Sequence, residues 1–326
     1  METALTFDDV LLSPKHSTVQ SRSEVDLSTS VTPSIEIDKP FVSAPMDTVT
    51  GIRLSQELVN VGGLPIIPRH GQFEKLQRRA EAVMSVDGTV GAAIGISGVN
   101  TEAAEMLEEY GADVLCVDTA HGHLSKALDT IHDVSRATDV DIIAGNVATG
   151  EAAKDLARAG ADTIKVGIGP GSSCTTREKT GVGVPQITAT QRVSKALDSF
   201  KIMPDKKRPS IITDGGMRNS GDMAKALMAG ADAVMHGRLF AECTEAPNNG
   251  QMYGLASDEI DGSGATEGDT RDLDGDREPV AERVEDWAES IRSTCSYCGG
   301  HNLHEARQNA EFVRVTSNAV DRNGVH

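Results

Sequence analysis

The chain has 326 residues, of which 38% are hydrophobic and only 3% aromatic, and it carries a formal net charge of −18. That length suits one large α/β barrel or two ordinary domains, with an interior built from Val, Ile, Leu, Ala and Met. The negative field opposes non-specific binding to nucleic acid or an anionic membrane, so neither is an expected partner.

Acidity with few aromatics is also the composition of disordered chains, but regular apolar runs argue against that here. A salt-rich cytoplasm, where a carboxylate-rich surface stays hydrated, is another explanation of the charge. The cysteines are Cys116, Cys174, Cys243, Cys295 and Cys298. An odd count fits a reducing compartment better than a disulfide framework. Cys295 and Cys298 form a CxxC, but no second CxxC or metal-spaced His pair completes it, so its expected role is structural or incidental. The N-terminus lacks a basic region followed by an apolar core, and no apolar run reaches membrane-spanning length, so a cytoplasmic location is expected.

In chain order, apolar runs at 40–44, 63–67, 89–94, 113–117, 141–144, 163–166, 210–213 and 233–235 read as strands. Between most of them lie segments of helical period, at 101–110, 124–137, 150–159 and 220–229. Gly-Ala-Asp follows three of these helices, at Gly111, Gly160 and Gly230, each a glycine stop before the next strand. Eight such units with near-continuous apolar strands predict a (β/α)8 TIM barrel over 1–326 as a single domain. A doubly wound open sheet is the structural alternative.

The most informative stretch is Gly167-Ile-Gly-Pro-Gly-Ser-Ser-Cys174-Thr-Thr-Arg177. Its glycines let the backbone turn tightly and approach a ligand. Ser172 and Ser173 add donors, and Cys174 stands at the loop tip with Arg177 and Lys179 close behind. A thiol beside cations and backbone N–H groups ionises more readily, and the thiolate is the attacking form. A lone Cys is more often a small buried hydrophobe. The length of this motif and its place in the repeating pattern favour a nucleophile beside an anion site.

In a barrel, chemistry sits at the C-terminal ends of the strands. Polar residues there are 43–47, Arg69-His70, 118–121, Asn146, the Cys174 loop, Asp214-Gly215-Gly216 and Gly237-Arg238. Taken singly, each suits a cap or turn; their shared face is what favours function. The loops after strands seven and eight are the common phosphate site of the fold, and Ser172 can reach the same place. Asp214, just before such a loop, suits a ribose diol. A phosphorylated nucleoside or sugar is the expected ligand class. After strand eight, residues 251–290 hold thirteen acidic and three basic side chains. Such a stretch is usually a solvated insertion, but above a barrel mouth it also suits a catalytic flap.

These residues resemble the inosine monophosphate dehydrogenase / guanosine monophosphate reductase family over nearly the whole chain. The matching motifs are Leu5-Thr-Phe-Asp-Asp-Val-Leu-Leu12, Ser43-Ala-Pro-Met46-Asp-Thr48, Asp118-Thr119-Ala120-His-Gly122, Ala144-Gly-Asn146-Val147, 167–186, Asp214-Gly-Gly216 and Gly230-Ala-Asp-Ala-Val-Met235. The resemblance implies a barrel enzyme, usually a homotetramer, that binds a purine nucleotide and a nicotinamide cofactor, with Cys174 attacking purine C2. By the resemblance, Ser172, Gly216, Gly237 and Tyr253 hold the phosphate, Asp214 holds the ribose, and Asn146 lies near the substrate. Ser43, Met46, Arg238, Leu255, Ala256 and Ser257 complete the implied substrate set. Asp118, Thr119, Ala120, Gly167 and Gly169 form the implied cofactor side. Carbonyls of Gly169, Gly171 and Cys174 can hold a monovalent cation, K+. Arg238 replaces a small residue of the family's phosphate loop.

The motifs divide between the two branches. Dehydrogenases carry an adjacent Arg-Tyr pair on the flap to activate water. Here Tyr110, Tyr253 and Tyr297 follow Glu, Met and Ser, and the usual inserted CBS pair is absent at Pro68-Arg-His70. Tyr253-Gly-Leu-Ala-Ser257, Ala265-Thr-Glu267-Gly, Lys179-Thr-Gly-Val-Gly183 and Ile291-Arg-Ser-Thr-Cys-Ser-Tyr297 are similar to the reductase, whereas Asp118-Thr-Ala-His-Gly122 is more like the dehydrogenase. The sequence expectation is therefore GMP + NADPH → IMP + ammonia + NADP, with Cys174 as nucleophile and Thr176 and Glu267 relaying protons. The alternatives are an IMP dehydrogenase using Arg271 or Arg277 to activate water, and a nucleotide sensor without turnover.

Overall fold

The computed structural model describes residues 2–98, 100–172, 174–200, 207–248, 250–253, 270–273 and 277–316. Eight parallel strands form one sheet: β1 (Phe41–Ser43), β2 (Ile66–Ile67), β3 (Gly91–Ile94), β4 (Val114–Asp118), β5 (Asp141–Val147), β6 (Thr163–Val166), β7 (Ser210–Asp214) and β8 (Ala233–His236). Their spatial order is β1-β8-β7-β6-β5-β4-β3-β2. A parallel bridge between Val42 and Leu64 closes β2 onto β1, with Ser43 N–H donating to the Leu64 carbonyl at 3.0 Å. The sheet is a (β/α)8 barrel, not the open alternative.

The strands are apolar on both faces because both are covered. One face fills the barrel with Val42, Ile66, Ala93, Val114, Cys116, Ile143, Ile212, Ala233 and Met235. The other packs against the ring α1 (Ile52–Asn60), α2 (Leu76–Met84), α3 (Asn100–Glu109), α4 (Ser125–Ala137), α5 (Gly150–Ala159), α6 (Gln186–Asp198) and α7 (Ser220–Met228). Gly160 and Gly230, at φ +122° and +120°, end α5 and α7 in a backbone region that side chains rarely adopt.

The eighth helix, α8 (Val280–Tyr297), packs against α7 and α1 and completes the ring. Its start lies inside the acidic 251–290 stretch. Composition conceals a helical stripe there: Val280, Val284, Trp287, Ala288 and Ile291 are all buried. Trp287 stacks edge-on with Phe41 and Phe240, so three of the chain's few aromatics meet in one cluster. After β8 a short antiparallel pair forms, Gln251–Tyr253 with Thr270–Asp272.

The bottom of the barrel is plugged. A small hairpin, Thr29–Ser30 with Glu36–Ile37, sends Val31 and Ile37 into the interior cluster. Thr163 and Ser210 hydroxyls donate to the carbonyls of Val31 and Ser30 at 2.8 and 2.9 Å. The opposite mouth, at the C-terminal ends of the strands, is where the polar residues gather.

Candidate active site

The centre of the mouth is a buried cation absent from the sequence expectation. Lys165, on β6, has a side chain only 1% exposed. Its ammonium donates to Asp118 Oδ1 on β4 at 2.6 Å, to Asp214 Oδ2 on β7 at 3.1 Å, and to Asn146 Oδ1 on β5. Burial alone would lower the pKa of Lys165, but the carboxylates of Asp118 and Asp214 more than offset it and hold the proton on more firmly than usual. Asn146 closes the ring, donating from Nδ2 to Asp214 Oδ2 and the Gly167 carbonyl, both at 2.8 Å. Four strands thus contribute one side chain each to a single charge network. Gly145, opposite Lys165 in the β5–β6 register, leaves room for it: a Cβ there would sit 2.7 Å from Lys165 Cβ.

Thr119 is held by its main chain, exchanging hydrogen bonds with Gly145 and Asn146 at 3.0 and 2.8 Å. The β4 and β5 loops are therefore clamped together beside Asp118.

After β6 the chain enters the cysteine loop. Cys174 is partly exposed, and its Sγ lies 3.1 Å from Thr176 Oγ1, within hydrogen-bond reach. Arg177 spans the loop from within, donating to the carbonyls of Ile168 and Val184 at 3.3 and 2.8 Å. Gly169 and Gly183 lie against its side chain. Gln186 ties the loop to the sheet, donating from Nε2 to the carbonyls of Val166 and Asp214, both at 2.9 Å.

The β7 loop leans on this one. Gly215 and Gly216 adopt φ +77° and +82°, with Gly216 against Pro170 and Gly215 facing Gly171. Gly237, after β8, approaches Met46 from the β1 loop so closely that a Cβ would meet its sulfur at 3.0 Å. The mouth therefore presents a thiol with a hydroxyl partner, a carboxylate pair on one ammonium, and a glycine turn packed onto the thiol's loop.

A family model described as the IMP dehydrogenase / GMP reductase domain matches residues 4–326. The chain belongs to the IMP dehydrogenase / GMP reductase family. Among similar proteins, an inosine-5'-monophosphate dehydrogenase of Cryptosporidium parvum is 32% identical, over 99% of this chain and 94% of the relative. One from Nitrosopumilus maritimus is 31% identical, over 96% of each. One from Borreliella burgdorferi is 37% identical, over 77% of this chain and 72% of the relative. This IMP dehydrogenase / GMP reductase family member is thus an oxidoreductase of purine nucleotides. The sequence motifs point to the reductase branch, whereas the names of these relatives favour the dehydrogenase.

Asn146, Asp118, Asp214, Gly167 and Gly169 line one connected network with the cysteine loop, as do Ser172, Gly171 and Gly216 by chain continuity and packing. Ser43 is fully buried, and its Oγ accepts from Thr50 Oγ1 at 2.8 Å, so it sits beneath the mouth. Arg238 turns along its own short helix to Glu242, at 2.9 Å. Leu255, Ala256, Ser257 and Glu267 lie outside the described residues, and Tyr253 is described in its main chain alone.

Arg277, considered above as a water activator, has another task. Its guanidinium donates to the carbonyls of Ala241, Ala246 and Asn248 and to Asn248 Oδ1, at 3.0–3.4 Å. Those donors go to the turn at 241–248, three of them to its carbonyls and one to the Asn248 side chain. Among the described residues no three His, Cys, Asp or Glu side chains are placed to hold a metal ion. Cys295 and Cys298 are buried, and burial pushes the Cys295 thiol up to about 12. Lys165 escaped the sequence reading because a Lys inside an apolar run gives no periodic signal; its one clue was Gly145, a glycine in the paired strand.

Proposed function

We propose that this chain oxidises IMP at C2 to XMP with NAD, through a covalent bond between Cys174 and the purine. The observation that carries the chemistry is Cys174 Sγ within 3.1 Å of the Thr176 hydroxyl, on a loop whose Gly167 carbonyl Asn146 ties to the network of Lys165. The direction of reaction is supported by the dehydrogenase name of relatives that align over nearly all of this chain.

Asp214 accepts hydrogen bonds from the ribose hydroxyls, while main-chain N–H groups at Gly216 and Gly237, with Ser172, take the phosphate. Cys174 thiolate adds to C2, and an electron pair of the ring moves to nitrogen. Loss of hydride from C2 restores the double bond and leaves a thioether-like bond to the enzyme. Bound NAD, beside Asp118, supplies the acceptor for that hydride. Water then adds to C2 and the C–S bond breaks, returning thiolate to Cys174. The hydroxyl of Thr176 is within reach of the sulfur and passes the water's proton onward, with Glu267 as the next acceptor. The overall change is IMP + NAD + H2O → XMP + NADH + H+. The carboxylate of Asp118 suits a cofactor's hydrogen-bond donors: among the described residues only Oδ1 has a partner, Lys165. Carbonyls of Gly169, Gly171 and Cys174 are the proposed ligands for K+, and a homotetramer within a cytoplasmic location is the proposed setting.

A specific observation supports a second reading. No Tyr in the sequence follows an Arg, and Arg277 is engaged elsewhere. In the reductase direction the same Cys174 attacks GMP, Thr176 and Glu267 protonate the leaving amino group, and hydride from NADPH reaches C2. Purified protein is incubated with IMP plus NAD and with GMP plus NADPH, and the products are identified. XMP supports the first reading; IMP with ammonia replaces it with the second. Nucleotide binding without turnover in either mixture would sink both.

A further inference from the structure

Lys165 is a feature of the mouth that the proposed chemistry leaves without a task. Its ammonium is the shared donor for two carboxylates, Asp118 at 2.6 Å and Asp214 at 3.1 Å, which the proposed chemistry turns toward the dinucleotide and the ribose. These two belong to β4 and β7, and the sheet order places β5 and β6 between them. Two like charges so placed would repel and turn apart without a cation between them. Asn146 adds a neutral brace, taking Lys165 on Oδ1 and giving Nδ2 to Asp214. Gly145 keeps the path of the Lys165 stem open. Among the described residues none of the Lys165 hydrogen bonds goes to the cysteine loop, so its influence on the reacting carbon passes through the side chains it holds.

We propose that Lys165 is a positioning residue that sets Asp118 for the dinucleotide by sharing its ammonium between Asp118 and Asp214. This rests on the reading of Asp118 and Asp214 as facing the dinucleotide and the ribose. Lys165 aims Asp118 through its Oδ1, which leaves Oδ2 for the dinucleotide.

The experiment is a double-mutant cycle between Lys165→Gln and Asp118→Asn in the full chain, read on the KM for NAD, on kcat, and on nucleotide affinity. Gln keeps one N–H donor in the same place, so the buried carboxylates are not left wholly bare; thermal melts monitor folding. Lys165→Gln is expected to raise the KM for NAD at least tenfold and to change the Kd for IMP less than fivefold. Asp118→Asn alone should raise the KM similarly. The double variant should be no worse than twofold beyond the weaker single, because both remove one shared interaction. Multiplying effects, or a Lys165→Gln enzyme with unchanged KM for NAD, would overturn the proposal. If Lys165→Gln melts far below the wild type, Lys165→Arg provides the second variant: it keeps the charge and should recover most of the NAD affinity, and failure to do so counts against the role. The site reading is checked separately, by turnover of the wild type with IMP and NAD and its loss in Cys174→Ala. If GMP and NADPH are turned over instead, the same cycle is read on NADPH.

Discussion

His236, at the end of β8, gives the fold a pH-dependent weakness that follows directly from its surroundings. It is 2% exposed, its ring centre lies 5.5 Å from that of Trp287 and 6.3 Å from that of Phe240, and among the described residues Nε2 has no hydrogen-bond partner. Burial pushes its pKa down from the usual 6.5 to about 3. Between those values an unfolded chain binds a proton that the native imidazole refuses, so the stabilisation from His236 is present above pH 6.5 and is lost as pH falls toward 3. For pKa values of 6.5 and about 3, lowering the pH from 7 to 5 removes about 2 kcal/mol of unfolding free energy through this one group. The assay is urea unfolding at pH 7, 6 and 5 and constant salt, for wild type and His236→Met, since a thioether fills the aromatic pocket without titrating. The wild type should lose about 2 kcal/mol more than the variant over this range. Equal losses in the two proteins would refute the reasoning, because every other titrating group is common to both.

Gly145→Ala would place a Cβ 2.4 Å from the Lys165 carbonyl oxygen, so it should destabilise the barrel by about 1–3 kcal/mol in urea unfolding, with an accompanying loss of turnover. Arg277→Met should speed hydrogen exchange of amides in 241–248, whose carbonyls and loop it holds; Arg277→Lys should leave the identity of the product unchanged. The net charge of −18 predicts that the melting temperature rises with added KCl, as counterions relieve repulsion between surface carboxylates; a flat response would reject the salt-rich explanation of the composition.

The barrel was legible because each apolar run between helical segments was long enough to show, and because Gly111, Gly160 and Gly230 mark where helices stop. The eighth helix was hidden, since Glu and Asp on its exposed side obscured Val280, Val284 and Trp287. The plug hairpin was missed because two-residue strands such as Thr29–Ser30 carry no period. At the site, Cys174, Asn146, Asp118 and Asp214 announced themselves by residue type beside glycines at strand ends. Lys165 did not, because its position inside the barrel depends on which strands neighbour β6. The contacts of Arg277 were hidden for a related reason: the carbonyls it binds come from a turn that only the folded chain brings near. Direction of reaction depends on how one proton and one water are handled near the flap, and motif similarity there pulls against the overall likeness to dehydrogenases.

The central claim is a bond between Cys174 sulfur and purine C2, and acid quenching of the working enzyme followed by peptide mass spectrometry tests it most directly. With nucleotide and cofactor turning over, the peptide that holds Cys174 should carry the added mass of the purine nucleotide, and Cys174→Ala should bind nucleotide while forming no product. An unmodified peptide together with sustained turnover by Cys174→Ala would contradict the account.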